Sequence, residues 1–388
     1  MTPVNLKEVR DKIDQIDEQL LELFQQRMAC AVQVAQIKKE QGLPILNPQR
    51  EQEILESVKA KAEATGGNGA AAQVLFSTLM ETSRSLQHDL LQDGEPLRRL
   101  IQESFQPQNS QPQSAGQQTV ACAGAPGAYA SLAAGKLFPG QKLIYREGFA
   151  DIFAAIDNSE ADIGVLPVEN SLAGSVIEVY DLLQQHRCFI VGAIDIPVHH
   201  CLAAPAGAEL PGIKAVYSHP QALSQCSRLI QSRGYRSTTY STTAAAAALV
   251  AQKGDPSIAA ICSKEAAQSC GLSILEENVQ NYKHNCTRFI AVARSARIPE
   301  DAEKISLCFS LPHTTGSLHQ TLGRFALHGL NLTKIESRPI AGKAFEYLFY
   351  LDFTGNVHDE TICNLLCSLS EELPSFSFLG NYREIRIE

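Results

Sequence analysis

Apolar residues recur at Val9, Ile13, Ile16, Leu20, Leu23, Ala31, Val34 and Ile37. This near-heptad spacing predicts one long packed helix from Leu6 to about Gln41, ended by Gly42 and Pro44. A second helical pattern starts near Pro48, and a third runs from about Gly69 to Leu91 beyond the Gly66, Gly67, Asn68, Gly69 turn cluster. At about 1.5 Å per residue the first helix is roughly 50 Å long, too long for two short partners to cover its stripe. Dimerisation through that helix is the expected solution. The pattern then breaks: Gln102 to Gln118 is rich in Gln, Ser and Pro, the composition of a solvated linker.

Beyond the linker, short β-patterned runs (Thr119 to Ala123, Asp162 to Val168, Phe189 to Ile194, Ala215 to Tyr217, Ile258 to Cys262, Phe289 to Ala293) alternate with helical ones, the mark of an α/β domain. From Lys304 the order becomes strand, helix, strand, strand, helix, strand, with the last strand expected from Phe376 to Ile385. That βαββαβ order is ferredoxin-like. The predicted plan is multidomain: all-α over 1–101, linker over 102–118, α/β over 119–297 and α+β over 298–388.

Composition narrows the function. Of 388 residues, 44% are hydrophobic and 19% charged, and the apolar runs are too short to span a membrane. The N-terminus lacks a secretory pattern, so a cytoplasmic protein is expected. A formal charge of −9 argues against nonspecific nucleic-acid binding and requires any anionic ligand to find clustered Arg and Lys. Eleven cysteines without a Cys-x-x-Cys pair read as reduced core thiols. Cys363 and Cys367 stand at helical spacing without His partners, and no metal is assigned.

Arg27 and Lys38 lie eleven residues apart on the first helix, hence on nearly one face and about 16 Å apart, leaving room for a small anion between their side chains. Arg10 lies about 25 Å from Arg27 and some 100° around the helix, so it can join such a site only in a partner subunit. Arg10, Arg27, Lys38, Arg50, Glu51, Ser83 and Gln87 match, without a gap in spacing, the active-site pattern of the all-helical chorismate mutases, and residues 6–91 resemble that family. The resemblance implies chorismate as substrate and a pericyclic rearrangement to prephenate that needs no cofactor. It assigns Arg10, Arg27 and Lys38 to the carboxylates and ether oxygen, Lys38 and Gln87 to the charge developing on that oxygen, and Glu51 to the substrate hydroxyl. Asn47 replaces the family's common Asp and can accept a hydrogen bond from substrate or from Arg50.

In the α/β region, Gly124 to Ser131 follows a strand and opens a helix, while Leu166 to Ser171 and Tyr217 to Gln221 end two strands, with Gln225 one turn further on. Together with Thr287, Arg288 and Phe289 these segments resemble the prephenate dehydratase family over residues 119–297. The resemblance implies two α/β lobes of the periplasmic-binding-protein kind with prephenate in the cleft, losing water and carbon dioxide. Thr287 would orient the leaving hydroxyl and a protonated Glu169 would supply the proton; which of the two donates stays open. Asn170, Ser218 and Gln225 would position the ring and Arg288 would bind the pyruvyl carboxylate. His219 reads as a structural strand-end residue rather than the acid, and Cys201 as part of a strand rather than a nucleophile.

The last segment resembles an ACT domain in Gly316, Ser317 and Leu318 and in Glu336, Ser337, Arg338 and Pro339. That implies an amino-acid effector, L-phenylalanine, held between paired domains, with Gly316, Leu318, Glu336, Ser337 and Arg338 around it. Ser317 and His319 depart from the family's usual small apolar and β-branched residues. The competing expectation is a two-lobed binding protein fused to a sensor, without catalysis. Two independent polar constellations, and the lack of an export signal or a DNA-binding motif, speak against it.

Overall fold

The computed structural model describes residues 5–92, 94–106, 117–282, 284–340, 342–343 and 345–386. Most of the expected linker therefore lies outside the described residues. The chain divides into two compact units, residues 1–103 with 307–378, and residues 104–306 with 379–388. No described helix is long and apolar enough to cross a membrane.

In the first unit the helices are α1 (Leu6–Gln41), α2 (Pro48–Ala64), α3 (Gly69–Leu91) and α4 (Glu95–Ser104). Asn5, Asn47 and Asn68 cap the first three by accepting backbone N–H groups of the first turn, and Pro48 opens α2 where its missing N–H costs nothing. Gly42 stops α1 at φ 64°, a left-handed conformation that its lack of a side chain permits. The sequence pattern missed α4, because it is one short amphipathic element at the edge of the Gln-rich stretch. Its Arg98 Nη2 donates to Asn364 Oδ1 at 2.8 Å, and Asn364 Nδ2 donates to Asp89 Oδ1 on α3 at 2.9 Å.

The same unit holds most of a four-stranded sheet in the order Leu332–Pro339, Tyr347–Thr354, Lys304–Ser310, Ser375–Tyr382, with helices Ser317–Leu327 and Glu360–Glu372. This is the ferredoxin-like order, and both helices contact α3. On α1 only Ala31 and Ala35 are buried, whereas Ile13, Ile16, Leu20 and Leu23 are half exposed or more.

The second unit has two large sheets, besides a parallel pair of Phe105–Gln106 with Ile298–Pro299. One orders Glu384–Arg386, Phe189–Pro197, Cys286–Ala293, Ile163–Asn170, Thr119–Ala123 and Lys142–Arg146, with Gly174–Ser175 pairing Ile163–Asn170. The other orders Ser273–Glu276, Cys201–Ala204, Ile258–Cys262, Ala215–Ser218 and Arg236–Thr239. Val120, Val165, Ile194 and Phe289 pack inside the first lobe, and Leu202, Val216, Ala259 and Ile261 inside the second. The chain crosses between lobes after Pro197 and again before Cys286, joined there by Val198 N–H donating to Asn285 O at 2.8 Å. Gly127 (φ 83°) lets the first lobe approach the second closely, since a Cβ there would stand 2.7 Å from Ala266 Cα.

The compact units depart from the boundaries read in the sequence. The single final strand expected over 376–385 is two strands, Ser375–Tyr382 in the four-stranded sheet and Glu384–Arg386 beside Phe189–Pro197. Glu384 explains the switch: it lies 2.7 Å from Lys304 Nζ and 2.9 Å from Arg288 Nε. Burial alone would raise the Glu384 carboxyl, but Lys304, Arg288 and Arg386 outweigh it and hold the group below the ordinary glutamate value. A carboxyl depressed in the folded state stabilises above its unfolded pKa, and that contribution is lost as pH falls through the folded one. Glu384→Ala leaves the buried Lys304 ammonium without this partner and is expected to cost about 3 kcal/mol at neutral pH. The difference from the parent should shrink below about pH 4. Denaturant unfolding at the two pH values checks this; an unchanged difference would mean that the Glu384 charge is not responsible.

Candidate functional site

A cavity of about 270 Å³ opens among α1, α2 and α3, lined by Arg27, Lys38, Asn47, Arg50, Glu51, Ser83, Arg84 and Gln87 among others. Seven of these eight are the residues singled out in the sequence; Arg84 is the addition. Arg27 and Lys38 share one face of α1, as their spacing requires. Arg27 Nη1 donates to Leu79 O at 2.7 Å and to Ser83 Oγ, which fastens α1 to α3 and leaves other guanidinium donors for a ligand. Lys38 Nζ donates to the Ile45 carbonyl. Gln87 Nε2 donates to Ser83 O at 3.1 Å, so one amide hydrogen remains, and its buried Oε1 has no hydrogen-bond partner.

Asn47 accepts from Arg50, one of the two donors expected for it: its side-chain oxygen caps α2 by taking the Arg50 backbone N–H at 3.1 Å. Arg50 is mostly exposed and lies 3.4 Å from Glu53. Arg10 is exposed on α1 and does not line the cavity, in keeping with its distance along the helix. Arg84 joins its neighbour Glu51 and also Glu81, an ion pair the single-residue motif could not reveal. The signal was present in the spacing Glu81, Arg84, His88, which puts three ionisable groups on the inner face of α3.

In the second unit, Thr287 pairs in register with Asn170, and Asn170 Nδ2 donates to Thr287 Oγ1 and to Asn285 Oδ1, both at 2.9 Å. Asn170 also accepts the Leu172 and Ala173 backbone N–H groups, which fixes its amide orientation. Across the crossing strands, Tyr129 Oη donates to His199 O at 2.6 Å and lies 3.3 Å from His200 Nδ1, while His200 Nε2 is 3.1 Å from Gln225 Oε1. Burial pushes the His200 imidazole below its ordinary value and the Tyr129 phenol well above its own, so both stay neutral. His200 meets Gln225 and Tyr129 meets His200 in turn, and neither was assigned a role from the sequence.

Three expected substrate contacts need correction. Arg288 is adjacent to Thr287 on one strand, so its side chain leaves the opposite face of the sheet. There it binds Asp195 through Nε and Nη2 at 2.9 and 3.0 Å, with Glu384 at 2.9 Å and Glu169 at 3.7 Å, and is a strut rather than a carboxylate receptor. Glu169 pairs in register with Arg288 and therefore faces away from the Thr287 side as well. Ser218 is fully buried, its hydroxyl bonded to the Ile261 carbonyl. His219 caps helix Pro220–Gln225 by accepting the Gln221 N–H at 3.3 Å, a structural task.

In the C-terminal segment, Gly316 precedes helix Ser317–Leu327 at φ 88°, with Leu318 in its first turn. Glu336, Ser337 and Arg338 lie on the edge strand, Glu336 and Arg338 on one face and Ser337 on the other. A cavity of about 320 Å³ borders Leu311 to Thr315, Ser317 and Phe345 to Tyr347, on the same end of the sheet as the start of that helix.

Burial lowers the Lys38 ammonium below its ordinary value, with Arg84 adding to the shift and Glu51 opposing it. A ligand-binding lysine must be charged, so kcat/KM for the α1–α3 site should fall with rising pH at a midpoint below the roughly 10.4 of a free lysine. A pH–rate profile checks this, and a midpoint at or above that value would remove Lys38 from the titrating role.

Residues 9–88 match the chorismate mutase type II family model, and residues 120–297 the prephenate dehydratase model. A bifunctional chorismate mutase/prephenate dehydratase from Enterobacter agglomerans is 34% identical over 98% of this chain and 97% of its own. Among solved structures, a prephenate dehydratase from Arthrobacter aurescens in complex with L-Phe is 30% identical, with TM-score 0.63, covering 68% of this chain and 90% of its own. GqqA, described as a novel type of quorum quenching acylase, is 32% identical with TM-score 0.63, covering 68% of this chain and 97% of its own. With a full-length bifunctional relative, and with both family models falling on the two constellations built above, the chain belongs to the bifunctional chorismate mutase/prephenate dehydratase family.

Proposed function

We propose that the chain converts chorismate to prephenate in the α1–α3 cavity and prephenate to phenylpyruvate in the two-lobed unit. The observation that carries the first step is the convergence of Arg27, Lys38, Glu51, Ser83 and Gln87 on one small cavity. A pericyclic rearrangement asks the protein for no nucleophile or base, only for a compact geometry and for donors where charge develops. Arg27 takes a carboxylate, Lys38 and the spare Gln87 amide hydrogen meet the ether oxygen, and Glu51 accepts the substrate hydroxyl. Arg10 of a second copy completes the clamp. The uncovered apolar stripe of α1 supports such a dimer, because an exposed row of Ile and Leu on a long helix needs a partner.

For the second step, Asn170 occupies a lone pair of the Thr287 oxygen, so the Thr287 proton is free to point to the leaving hydroxyl. The carbon–oxygen bond breaks, the hydroxyl takes one proton, relayed from solvent through the Thr287 hydroxyl, and leaves as water, while the ring carboxylate leaves as carbon dioxide and its bonding pair completes the aromatic ring. Gln225, held by His200, positions the substrate. Thr287→Ala is expected to lower dehydratase kcat by about a hundredfold or more, so that prephenate accumulates from chorismate. Glu169→Gln, on the far face, should lose less than the roughly hundredfold minimum of a general acid. Assays on chorismate and on added prephenate check both. Parental turnover by Thr287→Ala would move the site elsewhere, and acylase activity in place of prephenate turnover would favour the chemistry named for GqqA.

The C-terminal βαββαβ segment is read as an ACT domain that binds L-phenylalanine and inhibits the dehydratase. Support comes from its strand order, from Gly316 and Leu318 at the start of its first helix, and from the L-Phe complex of the Arthrobacter relative. Inhibition requires the effector to bind the less active state better. Truncating the whole segment would also remove strand Glu384–Arg386 from the dehydratase sheet, so a point variant is the cleaner test. Leu318→Arg should retain dehydratase activity while losing phenylalanine inhibition; inhibition of unchanged strength would place the effector elsewhere.

A further inference from the structure

We infer that Arg84 is a positioning residue of the chorismate site, and that through it the C-terminal segment forms part of that site's support. The inference rests on the reading of the α1–α3 cavity given above. Arg84 is nearly buried, its side chain 12% exposed, and it meets carboxylates from three helices. Nη1 pairs with Glu51 of α2, Nη2 with Glu81 of α3, and Nε lies 3.5 Å from Glu372 of helix Glu360–Glu372. The two carboxylates away from the cavity are shared with a second guanidinium, Arg324 of helix Ser317–Leu327. Arg324 Nη1 donates to Glu372 Oε2 at 3.0 Å, Nη2 donates to Ser368 Oγ at 2.7 Å, and Nε stands 2.7 Å from Glu81 Oε1 as an ion pair rather than an aligned hydrogen bond. His88 Nε2 closes the cluster 2.6 Å from Glu372 Oε1.

Of these carboxylates, Glu51 is the one most open to the cavity, with 25% of its side chain exposed against 8% for Glu81 and Glu372. Its position presents an electrostatic problem, because a site for a dianion gains nothing from a free negative charge on its wall. Arg84 resolves it by neutralising Glu51 from behind while holding one carboxylate oxygen, so that the other stays aimed at the substrate hydroxyl. A single arginine on a flexible stem does this well only if its own remaining donors are engaged. Glu81 accepts from Nη2, Glu372 balances the charge at Nε as an ion pair rather than a hydrogen bond, and Arg324 holds those two carboxylates in turn. The support of Glu51 thus runs α2, α3, then the two helices of the C-terminal segment, all within one compact unit.

The test measures kcat and KM for chorismate in Arg84→Ala, Arg84→Lys, Glu372→Gln and Glu51→Gln of the full chain, with turnover of added prephenate as the control for folding. Arg84→Ala should raise KM about tenfold with kcat changed by less than about threefold, the pattern of a lost contact to the substrate ground state and transition state alike. Glu372→Gln should shift KM in the same direction by about threefold, and Arg84→Lys should recover part of the loss. The double variant Arg84→Ala with Glu51→Gln should be no worse than Glu51→Gln alone, since Arg84 acts through Glu51. Additive losses, or a parental KM in Arg84→Ala, would overturn the proposal. If Arg84→Ala fails to fold, Glu372→Gln and Arg84→Lys decide, and parental KM in both would sink it. Parental kinetics in Glu51→Gln alone would instead bring down the chorismate reading of the cavity.

Discussion

A buried cation in this protein is held by acids, and how completely they surround it decides what it can do. Arg288 meets Asp195, Glu384 and Glu169, and Arg324 meets Glu81, Glu372 and Ser368, so neither has much left for a ligand. Arg27 is bonded to a carbonyl and a hydroxyl, which orient it without neutralising it. Lys38 is likewise on a carbonyl. Neutral partners leave a full positive charge facing the cavity, and that is what a dianionic substrate requires of a chain whose net charge is −9. The same rule separates the struts of the fold from the receptors of the site.

Strand geometry applies a second selection. Thr287 and Arg288 are neighbours in one strand and cannot both serve one face. The register puts Asn170 opposite Thr287 and Glu169 opposite Arg288, so one face collects neutral hydrogen-bonding groups and the other an ion cluster. The ion cluster draws in Glu384, and with it the last strand of the chain, which joins the dehydratase sheet after passing through the ferredoxin-like one. Chain order and spatial grouping part company here because a buried lysine and arginine need that carboxylate.

How much of this was legible beforehand can be judged residue by residue. The helical cavity was readable because helical spacing converts directly into geometry: positions 27 and 38 must share a face, and position 10 must not reach it. Asn47 was read correctly as a possible acceptor for Arg50, though not as a helix cap. The role of Arg288 was misread because a motif of adjacent residues says nothing about which of them faces the ligand. Ser218 failed for a related reason, since a polar residue at a strand end turns inward whenever a carbonyl such as that of Ile261 awaits it.

The sequence by itself determined the helix-rich start, the α/β middle, the βαββαβ end and the common face of Arg27 and Lys38, all consequences of period and local spacing; the other five cavity residues of the first site came from the family resemblance. The tertiary structure alone decided that Arg84 meets Glu51 and Glu372, residues up to 288 positions distant from it in the chain. It also decided that His200 holds Gln225 and that Glu384 leaves its own sheet for Arg288 and Lys304. Each of these is a pairing of buried polar groups across different elements. Such partners are selected by the low dielectric of the interior once packing has brought the elements together, and no periodicity along the chain encodes them.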